Sequence, residues 1–198
     1  MKHLLLIAAV AITLAGCGNG DTGGAVAEGS ATTVQLAPPA PGPAAPTGPM
    51  TTPHWYGVDH DAETVHMTIT AGAVPDHNYW NFNGHIKGAL AITVPEGYTV
   101  TIDLVNQDPA MAHSLGISSE LTNFMVPPAP NPVFAGAITD NPQSMIDATM
   151  PGETATIQFV ADTAGSYSMV CYIAGHTAIG MWLFFNVSAS REAGVQGP

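Results

Sequence analysis

The chain has very little charge, and positive charge is almost absent. Of its 198 residues only 9% are Asp, Glu, Lys or Arg, and 15 acidic side chains stand against 3 basic ones. The formal net charge is therefore -12 with histidine neutral. Nucleic-acid binding requires a basic surface that neutralises phosphates, so this composition excludes a nucleic-acid partner.

The long apolar run near the N-terminus is too short to span a membrane. It extends from Leu4 to Leu14, follows Lys2 and ends in small residues, which is typical of a secretory signal. The segment Leu14-Ala15-Gly16-Cys17 is similar to the bacterial lipoprotein box, in which cleavage leaves an acylated N-terminal cysteine. We therefore predict a signal peptide at 1–16, lipidation of Cys17, and anchoring to the periplasmic or cell-surface side of a bacterial membrane.

Cysteine is scarce, because the chain contains only Cys17 and Cys171. If Cys17 carries the lipid, Cys171 has no partner for a disulfide inside the folded domain. An inert buried thiol is common, but a lone thiol in an oxidising compartment also favours a chemical role. The residues around Cys171 decide between these two interpretations.

The remaining sequence divides into a linker and a domain. Residues 17–53 are rich in Ala, Pro and Gly without apolar periodicity, which predicts a flexible tether ahead of one domain at 54–198. Short alternating or β-branched runs predict an all-β, Greek-key sandwich of seven to nine antiparallel strands. The proline-rich segment 118–151 is predicted to be irregular. The predicted strands lie at 64–70, 89–94, 98–105, 113–117, 154–160, 166–171 and 181–187.

Three potential metal ligands follow one another at fixed spacing near the C-terminus. Cys171, His176 and Met181 form a C-x4-H-x4-M series across a strand end, a loop and a strand start. One thiolate, two imidazoles and a weak axial thioether are the ligands of a blue-copper site. His113, at the start of another predicted strand, is the best candidate for the second imidazole. The sequence therefore predicts one copper ion bound by His113, Cys171, His176 and Met181.

The same spacing argues against other metal sites. A binuclear copper centre needs a second loop cysteine and a multicopper oxidase needs several His-x-His pairs, and the sequence has neither. Structural zinc is usually held by Cys and His without a thioether. Two alternatives stay open at this point: a chance grouping of core residues, and a second metal bound by His54 and His60.

The domain also resembles a known family. The chain from Tyr79 to Val187 is similar to the sulfocyanins, with the rusticyanins close behind, in the ligand loop and in Trp-Asn-Phe-Asn-Gly at 80–84. Trp80 stands where the sulfocyanin pattern has Phe, and Ser114 follows the upstream histidine where sulfocyanins usually have Asn. The resemblance implies a cupredoxin fold, one copper and electron transfer with respiratory redox proteins such as a cytochrome or terminal oxidase.

Each of the four predicted ligands has its own role in a blue-copper site. Cys171 supplies the coloured Cu–S bond, His113 and His176 complete the trigonal plane, and Met181 is axial. We expect His176 to lie nearest the solvent and to pass the electron, and Asn83 to tie the ligand loops together.

We expect a monomeric carrier with no enzymatic activity. An uncharged docking patch is expected at Pro109, Ala110, Met111, Ala178 and Ile179, and sandwich core at Trp80, Phe82, Trp182, Phe184 and Phe185.

A copper delivery or storage lipoprotein is the main functional alternative. It is motivated by the additional methionines, whereas their dispersion and the presence of Cys171 weigh against it. A reductase acting on nitrogen oxides is a second alternative, and it would need another metal with open coordination positions.

Overall fold

The computed structural model describes residues 42–198. The predicted signal peptide, Cys17 and most of the predicted tether lie outside these residues. In the described range, no helix combines the length and apolarity needed to cross a membrane.

Between residues 42 and 198 the chain forms nine strands and two short helices. Each of these two short segments has four residues: a 3-10 segment at Asp76–Tyr79, which is left-handed at His77 and Asn78, and α1 at His176–Ile179. The predicted strands are confirmed to within a few residues, and the first and last strands were not predicted. The strands are β1 Tyr56–Asp59, β2 Thr64–Ala71, β3 Ala91–Pro95, β4 Thr99–Asn106, β5 Gly116–Ser119, β6 Thr154–Val160, β7 Gly165–Val170, β8 Trp182–Ser188 and β9 Gly194–Gln196.

The strands build two sheets, which confirms the predicted sandwich. One sheet has the order β1-β2-β4-β6 and the other β5-β7-β8-β3-β9. The expectation that all strands run antiparallel was wrong, because β2 pairs with β4 and β3 with β8 in parallel. The physical reason is that β2, β3 and β4 alternate between the two sheets. The chain crosses to the other sheet after β2 and returns after β3. It reverses direction each time, so that β4 runs parallel to β2 beside it.

The main core lies between the sheets. Strands β2 and β4 bury every second side chain, so that Val65 pairs with Val100 and Met67 with Ile102. This period of two is what a strand with one buried face requires. Each fully buried aliphatic or aromatic side chain contributes about 1.5–3 kcal/mol, so the sandwich has a large source of stability independent of any metal.

A second apolar cluster covers the outer face of the five-stranded sheet. Trp182 and Phe184 point into this cluster, and Phe124 stacks on Trp182 with ring centroids 3.7 Å apart. The prediction that Trp182 and Phe184 belong to the core between the sheets was therefore wrong. The segment 118–151 is irregular as predicted, except that Ser118 and Ser119 belong to β5, and part of this segment shields the outer face. Strand β8 is consequently buried on both sides over most of its length.

The packed part of the chain begins before the predicted domain start at residue 54. Thr51 exchanges two backbone hydrogen bonds with Val195, at 2.9 and 2.8 Å. The side-chain amide of Gln196 also donates to the carbonyl of Gly48 at 2.9 Å. The last residues of the predicted tether thus pair with the C-terminal strand.

Candidate metal centre

Strand pairing brings the predicted ligands to one end of the sandwich. Strands β5 and β7 are antiparallel, and Gly116 at the start of β5 pairs with Val170 at the end of β7. His113 lies just before β5 and Cys171 just after β7. The two side chains therefore meet although they are far apart in the sequence.

The predicted donor atoms converge in a buried cluster. The Sγ of Cys171 lies 3.5 Å from Nδ1 of His176 and 4.0 Å from Nδ1 of His113. All three side chains are 0% exposed. Among the described residues, they are the one group of three or more His, Cys, Asp and Glu side chains whose potential donor atoms all lie within 4.8 Å of one another.

Met181 is attached to the same cluster through its backbone. Its N–H donates to the carbonyl of His176 at 3.0 Å, and its carbonyl accepts from the N–H of Cys171 at 3.2 Å. Its side chain is fully buried. A thiol, two imidazole nitrogens and a buried thioether form a soft and borderline donor set that fits copper.

The ligand loop turns tightly at two glycines. Gly175 precedes α1 with φ 85°, and Gly180 follows it with φ 129°. Both values lie in the left-handed region, where L side chains are strained. A Cβ on Gly180 would also lie 2.5 Å from Cγ of Lys87. Glycine at 180 lets the chain pass Lys87 and turn into Met181.

A buried carboxylate orients His113, and sequence reasoning missed it. The Nε2 of His113 donates to Oδ2 of Asp108 at 2.8 Å, and both side chains are almost completely buried. Oδ1 of Asp108 accepts from the N–H groups of Ala110 and Met111 at 2.9 and 3.1 Å. Because the carboxylate accepts the Nε2 proton, Nδ1 of His113 presents its lone pair to the metal site. The available signal was a single acid directly before the apolar residues 109–112 that lead to His113.

Asn106 holds the loop that carries Asp108. Its side-chain amide donates to the carbonyls of Met111 and Thr149, both at 2.8 Å. Its Oδ1 accepts from the N–H of Asp108 at 2.9 Å. Asn83, which was expected to tie the ligand loops together, bonds to Thr70 and Thr68 of β2 instead.

Ser114 links the two ligand segments. Its Oγ accepts from the N–H of Tyr172 at 2.9 Å and lies 3.7 Å from Sγ of Cys171. The hydroxyl can therefore donate to the sulfur while its oxygen is held by the backbone next to Cys171. This contact identifies a structural role for the residue where sulfocyanins usually have Asn.

The ionisation of the donors follows from their burial. Burial raises the pKa of the Cys171 thiol above its ordinary value. Burial lowers the pKa of His113 despite the opposing effect of Asp108. For His176, burial and the nearby His113 lower the pKa to about 3. The imidazoles are thus neutral and ready to bind metal, whereas Cys171 must release its proton on binding.

The expectation that His176 is the ligand nearest the solvent stays a prediction, because all four candidate ligands are 0% exposed. The indole of Trp80 stacks on the His176 ring with centroids 4.0 Å apart. The covering residue comes from a loop far upstream in the chain, which local spacing around His176 does not reveal.

The proposed second metal site receives no geometric support. Nδ1 of His60 is hydrogen bonded to the hydroxyl of Tyr98 at 2.9 Å. His54 instead lines a separate surface cleft with Trp55 and Asn83.

We predict that Asp108→Asn lowers copper affinity by about 10- to 100-fold. The Asn oxygen can still accept from the loop backbone, but its NH2 then faces Nε2 of His113. This forces the proton of His113 onto Nδ1, the atom that faces Cys171. Competition titration with a copper chelator measures the effect, and Asp103→Asn, at a more exposed carboxylate, is the matched control. Equal affinities in the two variants would show that Asp108 does not set the histidine tautomer.

We also predict that the metal-free protein loses stability between pH 6.5 and pH 5. The unfolded chain binds protons on its histidines near their ordinary pKa of 6.5, whereas burial keeps folded His113 and His176 neutral. Stability conferred by these groups is therefore complete above about pH 6.5 and falls on acidification toward about pH 3. The slope is at most about 1.4 kcal/mol per pH unit for each histidine.

Urea unfolding of the metal-free protein at several pH values in that window tests this pH dependence. His176→Leu should reduce the slope. A wild-type free energy of unfolding that stays constant from pH 6.5 to 5 would contradict the predicted pH dependence.

The chain is similar in sequence to known proteins. The chain is 32% identical to sulfocyanin from Sulfolobus acidocaldarius over 125 residues, covering 61% of each protein. It is 29% identical to rusticyanin from Acidithiobacillus ferrooxidans over 126 residues, covering 63% of this chain and 77% of the relative. The alignment thus spans less than two thirds of the sulfocyanin.

A solved structure supports the fold. Rusticyanin from Thiobacillus ferrooxidans matches with a TM-score of 0.50 and 25% identity, covering 68% of this chain and 86% of that one. The sulfocyanin (SoxE) domain model matches residues 54–195, which contain the whole donor cluster. The chain therefore belongs to the sulfocyanin family of cupredoxins, and its cofactor is copper.

Proposed function

We propose that this protein is a type 1 copper electron carrier that exchanges single electrons with respiratory redox proteins. The supporting observation is the buried convergence of Cys171 Sγ with the Nδ1 atoms of His113 and His176. In this proposal Met181 is the weak axial donor. Bound copper supplies the one-electron couple Cu(II)/Cu(I).

The surrounding chain supports this function by keeping the donors in place. Asp108 orients His113, Ser114 contacts the Cys171 sulfur, and the backbone of Met181 ties the two ends of the ligand loop. A fixed arrangement between the preferences of the two oxidation states limits the structural change on electron transfer. Burial also keeps water from becoming a further ligand.

The surface of the ligand loops suits a brief encounter with a partner. Pro109, Ala110 and Ile179 are exposed, and Met111 and Ala178 are half-buried. None of these side chains carries a charge. Small and largely apolar contacts are typical of transient redox complexes, so this patch is the proposed docking surface.

The burial of the donors disfavours copper delivery or storage as the function. A delivery protein must pass its metal to another molecule through accessible ligands. Here His113, Cys171, His176 and Met181 are all completely enclosed. Rapid extraction of copper by a chelator from the full-length protein would favour the delivery alternative.

We predict that Cys171→Ser abolishes the blue charge-transfer band of the copper-loaded protein. An alcohol or alkoxide cannot supply the covalent thiolate donation, whereas the hydrophobic core should still fold. Visible spectra and a redox titration of the full-length wild type and variant provide the test. Persistent intense blue colour in the variant would show that Cys171 is not a copper ligand. If the copper-loaded wild type does not take up and release an electron reversibly, the proposed function is wrong.

Met181 should set the reduction potential. Met181→Gln offers a harder oxygen donor that favours Cu(II) and lowers the potential, whereas Met181→Leu removes the donor in a dry site and raises it. A shift of about 59 mV corresponds to about 1.4 kcal/mol for this one-electron couple. Reduction potentials are measured for all three proteins at one pH. The wild-type potential should lie between that of Met181→Gln, which is lower, and that of Met181→Leu, which is higher. Equal potentials would rule out axial ligation by Met181.

We further propose that lipidated Cys17 anchors the protein outside the cytoplasm of a bacterium. Cys17→Ala should release the protein from washed membranes and leave its visible spectrum unchanged, because Cys17 is far in the sequence from Gly48 and Thr51, where packing against the C-terminal strand begins. Membrane fractionation measures the release, and Cys171→Ser serves as a cysteine control that should remain bound. Retention of Cys17→Ala in the membrane pellet would reject this anchor.

A further inference from the structure

Trp80 stacks on the candidate ligand His176 and covers its ring. Its indole lies nearly parallel to the His176 ring, with an interplanar angle of 22° and a centroid distance of 4.0 Å. His176 is completely buried, whereas Trp80 is half-buried and retains a solvent-facing part. The indole therefore connects the imidazole with the protein surface by direct contact of two π systems.

The candidate ligands themselves offer no exposed route for an electron. His113, Cys171, His176 and Met181 are each 0% exposed. The far side of His113 is bonded to the buried Asp108. An electron reaching the metal must therefore cross a covering residue, and an aromatic ring in contact with a ligand couples better than a saturated side chain or a layer of solvent.

The chain holds Trp80 in place at a conformational cost. The three preceding residues, His77, Asn78 and Tyr79, have φ values of 55°, 60° and 62°. Left-handed conformations of non-glycine residues are sparsely populated and energetically costly. Such strain persists only where the surroundings fix it, and it is found mainly at functional sites.

Asn81 fixes the loop on the other side of Trp80. Its side chain is fully buried, donates to the carbonyl of Val74 at 2.8 Å and accepts from the N–H of Gly84 at 3.1 Å. The N–H of Trp80 also donates to the carbonyl of His77 at 3.1 Å. The loop thus presents the indole to His176 from a fixed frame.

We propose that Trp80 is the electron port of this protein, the residue through which an electron passes between the redox partner and His176. This inference rests on the proposed electron-carrier function. The indole acts as a tunnelling bridge, so that one electron leaves the donor and arrives at the acceptor while Trp80 itself is neither oxidised nor reduced. The partner then docks an exposed redox group against the outer face of Trp80.

Electron self-exchange between oxidised and reduced copper-loaded protein tests the proposal. Line broadening in NMR spectra of mixtures gives the rate, and self-exchange has no driving force, so changes in potential do not bias it. Trp80→Leu keeps an apolar cover without a π system and should slow exchange at least about tenfold. Trp80→Phe keeps a stacked ring and should retain most of the rate. Trp55→Leu, at a half-buried tryptophan outside the metal centre, should leave the rate unchanged.

A second measurement does not require copper. In the metal-free protein the ring current of Trp80 should displace the ring-proton resonances of His176, and Trp80→Leu should remove that displacement while Trp55→Leu should not. Absence of the displacement in the wild type would refute the stack. Wild-type or faster self-exchange in Trp80→Leu, with the ring-proton shift lost, would show that Trp80 is only a shield. Failure of the wild type to cycle between two oxidation states would instead reject the proposed function, whatever the result for the stack.

Discussion

The antiparallel register of β5 with β7 is the constraint on which the metal centre depends. It places the segment before β5 beside the residue after β7, so that His113 and Cys171 share one end of the sandwich. Side chains alternate between the two faces of a strand, and a slip by one residue would turn each of them to the opposite face. In the observed register Met169 packs in the core between the sheets and Val170 in the outer cluster. The two apolar clusters thus fix the position from which Cys171 enters the core.

Burial of the donors creates a second requirement, since buried polar groups need hydrogen-bond partners. Three polar side chains supply many of these partners: Asn106, Asp108 and Ser114. They bond the backbone of the ligand segments and contact His113 and Cys171. A satisfied buried network is rigid, because moving one member leaves others unpaired in a low-dielectric interior. The same contacts that satisfy the polar groups therefore also hold the donors at fixed separations.

Under the proposed electron-carrier function, enclosing the metal centre protects its ligands from water but also separates the centre from a redox partner. The loop around Trp80 reconciles these demands, because an aromatic ring excludes water from His176 while remaining in electronic contact with it. The left-handed residues His77, Asn78 and Tyr79 lie in this loop, outside the strands. The regular strands provide the stability, and the irregular loops provide the chemistry.

The sequence by itself determined the strand pattern and three closely spaced donors, because alternation, turn residues and the C-x4-H-x4-M series are local features. It also indicated His113, through its position at the start of a strand. Only the tertiary structure decided the parallel pairing of β2 with β4, since that pairing depends on which sheet each strand joins. Tertiary contacts also decided that Asp108 orients His113 and that Trp80 covers His176. A ligand's identity can be read from nearby residues, but its exposure and orientation depend on side chains that only the folded chain brings into contact.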